Sequence, residues 1–474
     1  MQFVATTPIA LLICAAILYV GPVRGTVFLF MTMPFGISAA VNLRGLGSIT
    51  LTDAAVTALW LSMFLHRFRL ASVFGTFKPG QPGLPLLLLM LVVTFGAFFL
   101  PRINAGVTEV FIIARRDGAA EILLAPLGPV GSNIGQLFRL TMSASIFVVM
   151  ATVFRRSGNS DTVFRALLWA TIIHILLSLA DLSSTVVGQD PLAFLRTGFV
   201  NVLDNQYLSG IRRLIGAFAE PSSFAYYTMG LFGFWLNYWF GARNSRVAAF
   251  MLLATILLLV RSTSSAAWLG MAAFGLLFLI WQVRTIARNQ RAAVLYLCMT
   301  AAVPAVLGAA MLAYTFIPAI PELLDRLLFT KLSSSSGVER MSWNTQALRN
   351  FFETGGMGAG LGSVRGSGWL FVVMGSLGVV GTGLYLWFLG AVLFMRPANS
   401  APPSHGILVA GSLQAGCAAI LLQACLTKSY PNLETEFFAM AGLAVGLMRH
   451  LALSNSAVPG RHDPLSGLPL RGAI

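Results

Sequence analysis

Apolar stretches recur along this chain at a nearly constant length, separated by short polar connections. They fall at about 6 to 20, 24 to 41, 49 to 65, 84 to 100, 134 to 154, 162 to 182, 219 to 240, 247 to 260, 265 to 281, 293 to 317, 367 to 395, 405 to 427 and 433 to 449. Most approach the length a helix needs to cross a hydrocarbon layer of ~30 Å. A spanning segment must satisfy its own backbone hydrogen bonds in lipid, and the alternation of a barrel strand is absent, so helices are the expected element. The pattern predicts an all-α fold, a polytopic transmembrane helical bundle of 12–13 spans. Twelve applies if the first two runs, parted only at Gly21-Pro22-Val23, form one broken element. Residues 1–449 read as a single membrane domain. The tail, 450–474, is rich in Pro, Gly and Ser and is expected to be disordered and cytoplasmic.

Composition agrees with the pattern: 57% of residues are hydrophobic, 10% are charged, and the mean hydropathy is +0.80. The N-terminal run has no basic region before it and no small-residue cleavage site after it, which predicts a retained helix. Cys14, Cys298, Cys417 and Cys425 all lie in apolar runs, where small core residues are the expectation and neither disulfides nor a metal site is. A net charge of +15 suggests nucleic acid for a soluble protein, but here the cations must first be sorted by membrane side. Connections carrying Arg67, Arg69 and Lys78, then Arg155 and Arg156, Arg243 and Arg246, Arg284, Arg288 and Arg291, Arg396, and Arg449 alternate with the spans. By the positive-inside rule they are cytoplasmic, and so is the C-terminus. The connections near 101 to 133, 183 to 215 and 318 to 366, with the short ones at Arg261 and Lys428, are then outside.

Acids are scarce inside, where Asp161 and Asp463 stand nearly alone, and plentiful outside. Acids contribute little to orientation, so the mixture of Arg with Asp and Glu on the outer face needs another cause. One is an anionic, hydroxyl-bearing ligand; the other is ordinary solvated ion pairs. Lys78, Lys331 and Lys428 are the only lysines among 31 cations. Arginine, with its planar fork, suits phosphate or carboxylate recognition.

Two outer stretches carry candidate chemistry. The first runs IRRLIGAFAEP into a span: Pro221 suits the first helical position, Glu220 sits at the positive end of that helix, and Arg212 and Arg213 precede it. Glu220 reads either as a simple helix-entry charge or as a carboxylate inside a cationic pocket. The second, 338 to 381, holds Glu339, Arg340, Trp343, Arg365 and Trp369 around GGMGAGLGSVRG. Its glycines could offer backbone N–H groups to phosphate or serve as small-residue helix packing. No strand precedes them and no GK[ST] follows, so the match to a nucleotide loop is weak. His174 falls in mid-span, where a hydrogen bond to a neighbouring helix is the expectation. No HExxH, nucleophile elbow or paired-acid metal motif is present.

In order, these residues resemble the O-antigen polymerase and ligase superfamily of Wzy-type polymerases and WaaL-type ligases. The likeness rests on Arg213, Gly216 and Pro221, on the Ser/Thr junction at 262 to 265 followed by Ala-Ala-Trp-Leu-Gly, and on Arg340-x-x-Trp343 with the glycines and GVVG beyond. It covers about 205 to 395. The resemblance implies a membrane glycosyltransferase of the bacterial inner membrane that uses undecaprenyl-pyrophosphate-linked oligosaccharide without metal or other cofactor and without nucleic acid. Chain-length regulators and export proteins would be its partners. It implies that Arg213, Arg340 and Arg365, with Arg212 and Arg261 nearby, hold the pyrophosphate. Glu220 would be the base, with Glu339 as second candidate, and Trp343 and Trp369 would stack on sugar. Where the ligases carry a His, this chain has Ser367 or Gly368, which fits a polymerase better. Where many relatives have Ser-Arg, it has Ser265-Ala266. A ligase, an anionic-solute transporter and an export scaffold are the competing readings.

Overall fold

The computed structural model describes residues 1–43, 47–66, 70–116, 119–200, 211–242, 245–286, 335–396 and 404–456, with a few isolated positions between them. Most of the apolar run at 293 to 317, the loop at 318 to 334 and the tail from 457 lie outside those residues. The other runs are helices: α1 (Thr7–Thr32), α2 (Leu51–Leu65), α3 (Gly83–Phe98), α4 (Gly131–Ser157), α5 (Ser160–Val187), α6 (Pro221–Gly241), α7 (Arg246–Arg261), α8 (Ser265–Ile286), then α10 (Trp369–Leu393), α11 (His405–Thr427) and α12 (Glu434–Ser456). Between α8 and α10 lies an amphipathic helix, α9 (Ser335–Glu353). Among the described residues, eight helical stretches are long and apolar enough to cross a membrane. The chain is an all-α polytopic bundle and a multi-pass membrane protein.

The first two runs are the arms of a hairpin. The chain leaves helical geometry at Gly21 (φ 83°) just before Pro22. Thr7 Oγ1 donates to Ala40 O at 2.7 Å, which sets the two ends of α1 side by side. The free hydroxyls and carbonyls of these ends are thus satisfied internally, as lipid requires.

The connections gather at two opposite ends of the bundle. At one, here the far end, His450 Nδ1 lies 3.2 Å from Arg155 O and His405 pairs with Asp161 at 3.0 Å. The other, the loop end, carries everything the sequence marks as chemistry. It also carries short strands that the helical pattern does not predict: β1 (Gln2–Phe3), β2 (Ala39–Leu43) and β3 (Gly47–Thr50) in that order, and an antiparallel hairpin of β4 (Glu109–Arg116) with β5 (Ala119–Pro126). α9 lies against that hairpin, where the Asn350 amide donates to Thr108 Oγ1 at 2.7 Å and to Glu109 O at 2.6 Å. The bundle core is aromatic, with Trp235, Phe147 and Phe388 fully buried. Some of its polar groups pair across helices: Trp235 donates to Thr171 at 2.8 Å, and His174 meets Thr228 on α6 at 2.8 Å, the neighbouring-helix bond expected of it.

Candidate functional site

The segment that carries Arg213 and Glu220 is held by a clasp built on Asp181, near the end of α5. Its carboxylate is almost fully buried, at 1% exposure, and both oxygens are occupied. Oδ1 accepts from Arg196 at 2.8 Å and Arg212 at 3.2 Å; Oδ2 accepts the backbone N–H groups of Ile215 and Gly216, each at 3.0 Å. Arg196 returns a bond to Gly216 O, and Arg261 donates to Arg212 O at 2.8 Å. A buried carboxylate is tolerable only when so fully paired. Arg212 and Arg261, expected as ligand-binding residues, are here engaged in bracing the backbone of 211 to 218.

Arg213 is the next residue along and does something different. Its Nη2 donates to Thr263 O at 3.3 Å, and Thr263 holds a left-handed φ of 50°, sparsely populated for a β-branched residue. Burial, then the nearby Arg340 guanidinium, push the Arg213 pKa below the usual arginine range, while Glu220 opposes them. Arg213, Arg340 and Glu220 therefore stand within electrostatic reach of one another, although 127 positions separate the two arginines. Guanidinium remains charged under such shifts, so two like charges are held together beside one carboxylate. Arg340 sits on α9, one turn before Trp343, whose ring lies 4.4 Å from the Arg365 guanidinium carbon. Nε of Arg365 is buried with no hydrogen-bond partner. Arg213 and Arg340 thus meet from two segments, and Trp343, one turn from Arg340, carries Arg365.

Arg365 is delivered by the glycine-rich loop, and the loop is a structural device. α10 breaks at Gly378 (φ 65°, ψ −164°), a conformation open essentially only to glycine. The freed carbonyls of Gly375 and Ser376 accept from Ala359 N at 2.8 Å and Gly360 N at 3.0 Å, and Val379 N donates to Gly356 O at 2.9 Å. Two of the backbone N–H groups in this loop, those of Ala359 and Gly360, are thus paired with a broken helix. Their glycines permit the close approach: a Cβ on Gly378 would lie 2.3 Å from Gly356 O. The reading as small-residue packing describes this loop, and the phosphate-loop reading does not.

Of the remaining expected residues, Glu220 caps α6 in position only. Its Oε1 accepts from the Ser222 and Ser223 hydroxyls, not from backbone. Glu339 is exposed on α9. Trp343 is buried beneath Arg365. Trp369, expected to stack on sugar, is 2% exposed; it donates to Pro431 O at 2.9 Å and packs edge-on against Tyr385, so it is a core residue.

Beside Glu220 opens a cavity of about 520 Å³. Its walls come from the starts of α2, α6 and α12, the loop-end turns of α4, and the 427 to 436 connection. It contains four carboxylates, Asp53, Glu220, Glu434 and Glu436, against two cations, Arg139 and Lys428. Lys428 pairs with Glu434 at 2.5 Å and lies over the Tyr226 ring at 4.3 Å. Asp53 is occupied by Thr50 through a capping box at 2.9 Å. Glu434 holds a left-handed φ of 63°. Deepest are Glu436 and Tyr227, both 4% exposed; Glu436 Oε1 and the Tyr227 hydroxyl have no hydrogen-bond partner in the protein.

Sequence reasoning missed Asp181, Arg196, Arg139, Tyr227 and Glu436. Asp181 and Glu436 fall inside candidate spans, where the apolar pattern hides them. One signal was visible: Glu434-x-Glu436 places two acids at the opening of a span that needs neither. Fold and site together define a multi-pass helical membrane protein with a convergent arginine cluster and a polar cavity at one end. No protein-family model matches the chain, and no curated protein does.

Proposed function

We propose that this protein is a polysaccharide polymerase that joins undecaprenyl-pyrophosphate-linked oligosaccharide units at the outer face of the bacterial inner membrane. The observation that carries the reading is the convergence of Arg213 and Arg340 beside Glu220, at the rim of a cavity. Like charges held together in a partly buried setting call for an anion, and a diphosphate presents enough oxygens to engage both. Arg365 lies on the ring of Trp343, which is one helical turn from Arg340.

In the proposed reaction an acceptor hydroxyl attacks the anomeric carbon of the donor glycan. The new C–O bond forms as the bond from that carbon to the diphosphate oxygen breaks. The proton passes from the hydroxyl to the Glu220 carboxylate, and polyprenyl diphosphate departs with its charge met by the guanidinium groups. Electrostatic stabilisation of this leaving group is the main contribution, with each donor responsible for about a hundredfold in rate. No metal is called upon. By the positive-inside rule the arginine-rich connections at the far end favour a cytoplasmic C-terminus, and on that reading the cavity lies outside. Polymerase is favoured over ligase because the position where the ligases carry His is here Ser367 or Gly368. Ser367 is buried, and its N–H donates to Asn344 at 2.7 Å.

The test is reconstitution. Full-length protein in nanodiscs, given lipid-linked oligosaccharide from the source cells, is expected to yield a ladder of longer lipid-linked oligomers. Accumulation of a labelled anionic solute in proteoliposomes with no oligomers formed would replace this reading with transport.

A further inference from the structure

The arginine cluster and the cavity beside it differ in sign, and the difference identifies what the cavity takes. A diphosphate belongs with the guanidinium groups; a space walled by four carboxylates and two cations repels it. Lys428 is neutralised by Glu434 at 2.5 Å, and Arg139 stands within electrostatic reach of both Asp53 and Glu434. Counted over the lining alone, carboxylates outnumber cations by four to two, and Glu220 also stands within reach of Arg213 at the rim. The rest of its lining is hydroxyl, amide and aromatic: Ser222, Ser223 and Thr435, Gln136 and Asn432, Tyr430. Such a lining suits a hydroxyl-bearing ligand, and about 520 Å³ falls within the usual range of small-molecule pockets.

The floor makes the assignment specific. Glu436 and Tyr227 line the cavity, and Glu436 Oε1 and the Tyr227 hydroxyl are buried with no protein partner. A polar ligand that reaches Glu436 and Tyr227 would satisfy groups that the protein itself leaves unpaired. Gly230 on α6 belongs to the same arrangement. A Cβ there would lie 2.4 Å from Glu436 Oε1, so only glycine lets the carboxylate rest where it does.

We propose that this cavity is a glycan pocket for sugars that bear hydroxyl or amine groups and no acid, with Glu436 and Tyr227 binding a sugar hydroxyl at its floor. This rests on the glycosyl-transfer reading and adds the substrate class to it: neutral or amino sugars, with uronic acids excluded by like charge.

The experiment uses full-length protein in nanodiscs at low salt. Three trisaccharide probes are compared by saturation-transfer NMR: chitotriose (neutral), the glucosamine trimer (cationic) and trigalacturonate (anionic). Chitotriose and the glucosamine trimer are expected to bind, and trigalacturonate at least about tenfold more weakly. Glu436→Gln and Tyr227→Phe are each expected to weaken chitotriose by about tenfold, the scale of one lost hydrogen bond to a buried group. Because Tyr227→Phe removes an unpaired buried hydroxyl, its melting temperature should hold or rise while binding falls, a result that a purely structural role does not give. Trigalacturonate binding as well as chitotriose, chitotriose binding unaltered by both floor variants, or no binding by any trimer would each overturn the proposal. The oligomer ladder is measured on the same nanodiscs. Trimer binding without a ladder overturns the polymerase reading and keeps the pocket; a ladder without trimer binding does the reverse.

Discussion

Two groups of arginines lie at the same end of this bundle, and they are built to opposite rules. Arg196 and Arg212 close on Asp181, whose two oxygens accept four donors, and each also reaches a backbone carbonyl. Every charge there has met its opposite. Arg213 faces Arg340 and Glu220, and Arg365 lies on an aromatic ring with a buried, unpartnered Nε. The first group holds the chain in place, and the second is held in place by it. Arginine abundance alone does not mark a site: Arg196 and Arg212 share one buried carboxylate, whereas Arg213 lies near a second guanidinium.

The comparison can be broken most forcefully at its anchor. Asp181→Ala removes the buried carboxylate that joins Arg196 and Arg212, with Asp190 still meeting Arg196, and is expected to destabilise by about 3–5 kcal/mol, the scale of a broken buried ion pair. Thermal unfolding in detergent checks it, and activity should vanish with the fold. Arg340→Ala is the contrasting case: oligomer formation should fall by about a hundredfold or more with the melting temperature unchanged. If Arg340→Ala unfolds the protein, the distinction between the groups fails. Gly378→Ala touches no charge but forces a side chain into left-handed backbone against Gly356 O. A loss of about 1–3 kcal/mol or more is expected, with oligomer formation lowered through a displaced Arg365. The smallest effect belongs to Trp343→Leu, which removes a cation–π contact of about 0.5–2 kcal/mol. A several-fold drop in rate with little change in melting would place that contact at the site. No drop would make Trp343 packing alone.

Particular residues show how far the linear chain could be read. Arg213, Glu220, Arg340 and Arg365 were visible because each is a charge at the edge of an apolar run. Trp369 met the same criterion and belongs to the core, since nothing local reveals that Pro431 and Tyr385 will enclose it. Arg212 and Arg213 are neighbours of one residue type, yet one is engaged by Asp181 and the other faces Arg340. The deciding partners lie about 30 residues before Arg212 and more than a hundred after Arg213. The glycines after Glu353 suggested two uses, and only the break at Gly378 selects between them.

The amino-acid sequence by itself determined the class of this protein: helices long and apolar enough for a membrane, alternating connections, and charge that differs from one set of connections to the other. These are local properties, because transfer free energy into lipid is summed over neighbouring residues. The tertiary structure alone decided which arginines meet carboxylates and which meet each other, and that Glu436 and Tyr227 share a cavity with Glu220. Those are properties of juxtaposition, and Coulomb and hydrogen-bond energies depend on distances in space that spacing along the chain does not encode.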